Sequence, residues 1–200
     1  TLLVEAYHVK DKLYQEKFQE LTPEKRHNQI LKGLFGNDIS IFAARLASIN
    51  LTRQNLGVFT EAVNITVGDG LSIRPFENPD LANNKTKKKY HTYTLHGKDL
   101  WIEYPYADCI LMNPPFSSKR GMSKATVAHI NKKMAEYDLE KYVDGNMGLN
   151  AYFILHADQF LKEGGTMSMV ISSATFNTIY ARKILDFLKD KKYIIEYVFE

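Results

Sequence analysis

Asp108-Cys109-Ile110-Leu111-Met112-Asn113-Pro114-Pro115-Phe116 sets an amide, two prolines and an aromatic ring directly behind a short apolar run. Pro114 and Pro115 have no backbone N–H and a fixed φ, so neither extends a strand ladder, and Asn113, preceding a proline, is held extended. The Asn113 side chain, the Pro114 carbonyl and the Phe116 ring are thereby presented rigidly where the run stops. Ligands in open α/β sheets bind at the carboxyl ends of strands. The plainer alternative is that Pro-Pro ends a strand and Phe116 caps a core. Two carboxylates have similar settings. Asp38 closes the run Leu34-Phe35-Gly36-Asn37-Asp38-Ile39 just before Ser40, a position suited to accepting hydrogen bonds from both hydroxyls of a ribose. It would serve equally to compensate a helix N-terminus. Asp69 follows the alternating Val63, Ile65 and Val67, and the glycines on either side of it permit an unusual turn and a close ligand approach. Gly-Asp-Gly is also an ordinary turn.

The elements that position these residues follow from periodicity. Cys109 to Met112 predicts a strand buried on both faces, as inside a parallel sheet. Leu3, Ala6, Tyr7, Leu13, Tyr14 and Phe18 predict one amphipathic helix over the first ~18 residues, by its 3.6 period. Thr22-Pro23-Glu24 supplies a cap, a first-turn proline and an acid for a second helix that runs to Leu31 and stops at Gly33. Ser40 caps a third, with the stripe Ile41, Phe42, Ala44, Leu46, Ala47 and Ile49, continuing to Asn55. Between Arg74 and Tyr104, Pro75, Pro79, Asn83 and Asn84 mark a loop and Lys85, Lys87, Lys88 and Lys89 a basic cluster, read as a solvated loop. Tyr93, Leu95, Leu100, Ile102 and Tyr104 then flank His96-Gly97-Lys98-Asp99 as a β-hairpin insertion.

Ser117 to Gly148 is polar, with a thin-faced helix from Ala125 to Tyr137, and is expected to be mobile. Leu149 to Leu161 has helical spacing and stops at Gly164-Gly165; His156 on its face reads as a core histidine. Thr166 to Ile171 is the next strand, Thr178 to Leu188 a helix, and Tyr193 to Phe199 a last strand. The alternation predicts an α/β fold, a doubly wound, mostly parallel sheet of Rossmann-like type with a hairpin insertion.

Composition sets the wider bounds. The 200 residues, 44% apolar and 24% charged, suit one α/β domain with a sizeable core. A net charge of +3 is weak evidence for a polyanionic partner. The single cysteine, Cys109, gives no disulfide framework, and the six histidines have no metal-ligand spacing, so no metal site is read. Without a signal peptide or an apolar run of membrane-spanning length, a cytoplasmic location is the default expectation. The chain starts at Thr1 without an initiating methionine and ends in the strand-like Tyr193 to Glu200, so both ends are expected to be cuts in a longer protein.

Asn113-Pro114-Pro115-Phe116 behind an apolar strand resembles the Asp/Asn/Ser-Pro-Pro-Tyr/Phe motif of the amino-methyltransferases that use S-adenosylmethionine. Asp38 and Asp69 precede it in that family's order, and an aromatic-rich helix followed by Leu161-Lys162-Glu163-Gly164-Gly165 follows it. The chain is similar to the N6-adenine DNA methyltransferases, particularly the modification subunits of type I restriction-modification systems and their fused type II relatives. The resemblance implies a bacterial or archaeal cytoplasmic enzyme with a methyltransferase-type sheet and S-adenosylmethionine as cofactor. Its partners would be double-stranded DNA with a flipped adenine, together with specificity and restriction subunits or fused domains. It further implies that Asp38 and Ile39 bind the cofactor ribose side, that Asp69 and Gly70 bind its adenine, and that Asn113, Pro114, Pro115 and Phe116 are catalytic. Asn113 and the Pro114 carbonyl would accept from an exocyclic NH2 while Phe116 stacks on its ring. Two acceptors on those hydrogens favour the tetrahedral nitrogen whose lone pair attacks a methyl group, so positioning and fixed dipoles carry most of the catalysis. The family's glycine-rich cofactor loop, of the kind Asp-Pro-Ala-Cys-Gly-Ser-Gly, would lie just before Leu2. Residues 1–200 are therefore expected to be a partial catalytic domain lacking that loop, its central strand and the target-recognition domain, and to bind cofactor poorly alone. RNA-base and protein-glutamine methyltransferases carry the same motif, and a non-catalytic scaffold of the same fold is a third possibility.

Overall fold

The computed structural model describes residues 2–76, 89–117 and 121–199. The chain divides into two compact units, residues 1–105 and 106–200.

In the first unit, α1 (Leu2–Lys17) and α2 (Pro23–Lys32) precede β1 (Phe35–Asp38), α3 (Ile41–Thr52) and β2 (Asn64–Val67). The starts and stops obey local chemistry. Thr22 accepts the Lys25 N–H and Pro23 opens α2, which ends at Gly33; Ser40 accepts the Ala43 N–H at the head of α3. β1 and β2 pair in parallel from Phe35↔Asn64 to Asp38↔Val67, so β1-α3-β2 is a crossover unit with both strands ending at one edge. The core beneath consists of Tyr7, Ile30, Leu31, Leu34, Ala44, Leu51, Val63 and Ile65. α3 buries Ala44, Ser48 and Leu51, while Ile41, Phe42, Leu46 and Ile49 of the expected stripe are exposed. Spacing of four and three residues selected that narrow small-residue face, and the broader apolar set lies outside it.

The expected hairpin is present. β3 (Tyr90–Tyr93) and β4 (Asp99–Ile102) pair antiparallel, and Gly97 at φ +82° closes their connection. Of the four lysines, Lys85, Lys87 and Lys88 lie outside the described residues, as do Pro79, Asn83 and Asn84; Lys89 pairs with Glu103 at 3.4 Å.

In the second unit, β5 (Ala107–Met112) precedes α4 (Lys124–Glu136), α5 (Leu149–Ala157), β6 (Leu161–Met169) and α6 (Ala181–Asp190). β5 and β6 pair in parallel, from Cys109↔Thr166 to Met112↔Met169. Among the described residues β5 has this one neighbour, and it is not buried on both faces as expected: Cys109 and Leu111, on one face, are exposed, and Ile110 and Met112, on the other, are half-buried. The helix expected to reach Gly164 ends at Ala157, followed by a 3-10 turn over Asp158–Phe160. The glycines instead fall in an irregular stretch of β6, where pairing jumps from Ala107↔Leu161 to Cys109↔Thr166 and Gly164 takes φ +75°. From Gly121 to Gly148 the chain is packed where it was expected to be loose. Ile130 and Met134, one turn apart on α4, join Leu139, Tyr142 and Met147 among the most buried residues. Tyr193 to Phe199 forms no strand: no described edge pairs with it, and Ile194, Ile195, Tyr197, Val198 and Phe199 are exposed. The described architecture is thus mixed α/β with two parallel strand pairs and one antiparallel hairpin. Among the described residues, no helix is long and apolar enough to cross a membrane.

Candidate active site

The carboxylates of the first unit come together through strand geometry. Because β1 and β2 are parallel and in register, Asp38 ends one strand beside Val67, and Asp69 follows two residues later. The Gly68 N–H donates to the Asp38 carbonyl at 3.0 Å, carrying the ladder one step past the sheet. Gly68 does so at φ +150°, a conformation that side chains resist. Asp38 is exposed, and its Oδ1 accepts the Ser40 N–H at 2.8 Å, which steadies the start of α3. Ile39 beside it is 79% exposed, so its side chain contributes nothing to the core and is available to line a ligand. Asp69 is half-buried; Oδ1 accepts the Leu71 N–H at 3.1 Å and Oδ2 the Ser72 hydroxyl at 2.6 Å, capping a 3-10 turn that starts at Gly70. Its carboxylate is fixed before any ligand arrives.

Behind this edge lies a buried polar brace. The Tyr104 hydroxyl donates to the Gly36 carbonyl at 2.7 Å and hydrogen-bonds the Thr66 hydroxyl, which also accepts from Asn37 Nδ2 at 3.0 Å. Tyr104 and Thr66 are almost fully buried, and burial pushes the Tyr104 phenol up to about 12. The brace ties β1 to β2 two residues before Asp38. Nothing in the spacing of the sequence marks Tyr104 for this task; its only signal is a hydroxyl-bearing ring where the hairpin returns to the sheet.

The second unit holds Asn113 to Phe116 between two backbone clamps. The Val170 N–H donates to the Met112 carbonyl at 3.0 Å on one side, and the Leu149 N–H, at the head of α5, donates to the Ser117 carbonyl at 2.9 Å on the other. Pro114 is buried and anchors the turn, whereas Asn113, Pro115 and Phe116 are exposed. The Phe116 ring, 56% exposed, does not cap a core. Gly148 is required by the second clamp: a Cβ there would stand 3.0 Å from the Ser117 carbonyl oxygen and 2.8 Å from Asn150 Oδ1. Of the clamp residues, Ser117 and Gly148 bound the stretch read as polar and mobile, and Leu149 was read only as the first residue of the next helix.

A family model described as Eco57I restriction-modification methylase matches residues 32–200. The chain belongs to that family. No curated protein matches it. The methylase match takes in β1 and everything after it, so Asp38, Ile39, Asp69 and Gly70 of one unit and Asn113 to Phe116 of the other all fall inside it. α1 and most of α2 precede the matched stretch. Each unit of the methylase carries its own half of the candidate set: paired acids at a parallel edge in the first, a clamped amide, carbonyl and ring in the second.

Proposed function

We propose that this methylase transfers a methyl group from S-adenosylmethionine to N6 of an adenine flipped out of duplex DNA, as the modification component of a restriction-modification system. The observation that carries the reading is the Asn113-Pro114-Pro115-Phe116 turn, its amide and ring exposed, at the carboxyl end of parallel strand β5, in a chain of a restriction-modification methylase family. On this reading residues 1–200 are part of one catalytic domain of the doubly wound, Rossmann-like type.

The cofactor fits the acids present. An exposed carboxylate at a parallel-strand edge suits the two ribose hydroxyls, with Asp38 and Ile39 on that side, and Asp69 with Gly70 would take the adenine. When bound, S-adenosylmethionine supplies a methyl group already activated on a sulfonium. Asn113 and the Pro114 carbonyl accept the two N6 hydrogens and thereby turn the nitrogen lone pair out of the ring plane. Pro115 keeps the turn rigid, and Phe116 offers a stacking face to the flipped base, offsetting part of the stacking that it leaves behind. The two clamps hold the acceptors in place before the base arrives, so little reorganisation is needed during transfer.

The test is methyl transfer from labelled S-adenosylmethionine by the full-length parent protein, with adenine-containing duplex DNA, ribosomal RNA and release-factor protein offered side by side. N6-methyladenine in DNA is expected. In the same protein Asn113→Ala should abolish most transfer and spare cofactor binding, and Asp69→Ala should weaken cofactor binding. Label found only in RNA or protein, or normal turnover by Asn113→Ala, would overturn the reading.

A further inference from the structure

The β3–β4 ribbon has two unlike faces. Thr92 and Ile102 turn inward and are buried, and the Thr92 hydroxyl donates to the Ile65 carbonyl of β2 at 2.8 Å, fastening the ribbon to the unit. On the opposite face His91 stands across from Trp101 and Tyr93 across from Asp99. Trp101 is 59% and Tyr93 50% exposed. These rings are not loose. The His91 ring sits 4.6 Å from that of Tyr93 and 5.0 Å from that of Trp101, centroid to centroid, and its Nε2 is 2.7 Å from Asp99 Oδ1. A cation borders the rings: the Arg45 guanidinium lies 5.8 Å from the Tyr93 ring centroid, with its Nη1 3.5 Å from the Thr94 carbonyl oxygen.

We propose that this face is a nucleic-acid contact surface, on which an unstacked base packs against Trp101 and Tyr93 while Arg45 meets a flanking phosphate. The partner rests on the DNA reading above; the surface rests on the ribbon. Exposed aromatic faces held rigid beside cations are what strands with unpaired bases bind, through stacking that tolerates any base. Charge favours a polyanion over a protein partner. Lys89 is paired with Glu103, Lys98 with Glu61 and His91 with Asp99, which leaves the Arg45 guanidinium as the cation beside the rings among the described residues. Among the described residues no carboxylate pairs with Arg45.

Trp101 is the one tryptophan of the chain and reports directly. The purified chain is titrated with an oligothymidylate of about 20 nucleotides, long enough for one stacking site, and tryptophan emission is followed. Quenching is expected, with affinity falling about tenfold or more for Tyr93→Ala and for Arg45→Gln, while far-UV circular dichroism stays unchanged. Trp101→Phe, read by anisotropy of a labelled oligonucleotide, should bind better than Trp101→Ala. Absence of quenching, equal quenching by heparin, which has no bases, or unchanged affinity in folded Tyr93→Ala and Arg45→Gln would overturn the proposal. Oligothymidylate offers no adenine, so the two readings separate. Transfer to adenine DNA without a Trp101 response overturns this surface alone, and a Trp101 response without transfer overturns the methylation reading alone.

Discussion

Replacing Tyr104 with phenylalanine removes a single oxygen from the brace behind the paired acids. The ring keeps its tilted contact with Phe35 and its edge contact with Tyr90, so packing is little changed. Lost are the bond to the Gly36 carbonyl and the bond to the Thr66 hydroxyl, both in a buried setting. Each net bond contributes about 1 kcal/mol, and Thr66 keeps Asn37 as a donor, so the cost is about 2 kcal/mol. For a cooperative unit of about 100 residues that lowers Tm by roughly 8 °C or more. Urea denaturation of wild type, Tyr104→Phe, Thr66→Val and the double variant measures it. The double variant should cost less than the sum of the singles, with a coupling of about 1 kcal/mol. A single-variant cost below about 0.5 kcal/mol, within the range of ordinary surface changes, or strict additivity, would refute the brace. On the methyltransferase reading Tyr104→Phe should also weaken cofactor binding by loosening β1 just before Asp38.

Gly148→Ala drives a methyl group toward the Ser117 carbonyl and Asn150 Oδ1, and Asn150 cannot swing aside without breaking its buried 2.7 Å bond to Thr175. A loss of about 1–3 kcal/mol is expected in urea denaturation, and in the transfer assay turnover should fall more than substrate affinity. The first unit should also be sensitive to pH at both ends. Burial raises the phenols of Tyr7 and Tyr104 to about 12, so their stabilisation is complete below pH 10 and is lost as pH rises towards 12, by up to about 3 kcal/mol each. Burial lowers the pKa of His27, whose Nδ1 is 2.7 Å from the Tyr7 hydroxyl, so stability is complete above pH 6.5 and declines as pH falls below it. Urea midpoints taken across the pH range check both, and Tyr104→Phe should flatten the alkaline limb.

The elements that were legible in the sequence are those whose ends carry their own chemistry. Thr22-Pro23, Gly33 and Ser40 set α2 and the head of α3, and the hairpin was marked by His96-Gly97-Lys98-Asp99 between alternating apolar residues. What failed was inference of burial from apolar runs. Cys109 to Met112 reads as a doubly covered strand, yet coverage depends on what packs against each face of the sheet, which no local pattern records. Tyr193 to Phe199 has strong strand propensity and no described partner to pair with. Leu149 to Leu161 kept helical spacing past the true end at Ala157, because Asp158–Phe160 forms one tighter turn with nearly the same period. At the candidate site the motif-bearing residues were visible and their supports were not: Tyr104, Gly148 and Leu149 act through contacts made far along the chain.

The exposed run from Tyr193 to Phe199 has a consequence for how the chain behaves in a crowded solution. Seven residues of high β-propensity, with Glu196 as their one charge and no proline, can extend over about 23 Å. They are the kind of segment that adds to its own copy on another molecule. Self-association through such a run is second order in protein, so solubility should fall steeply with concentration and recover when a lysine replaces Val198.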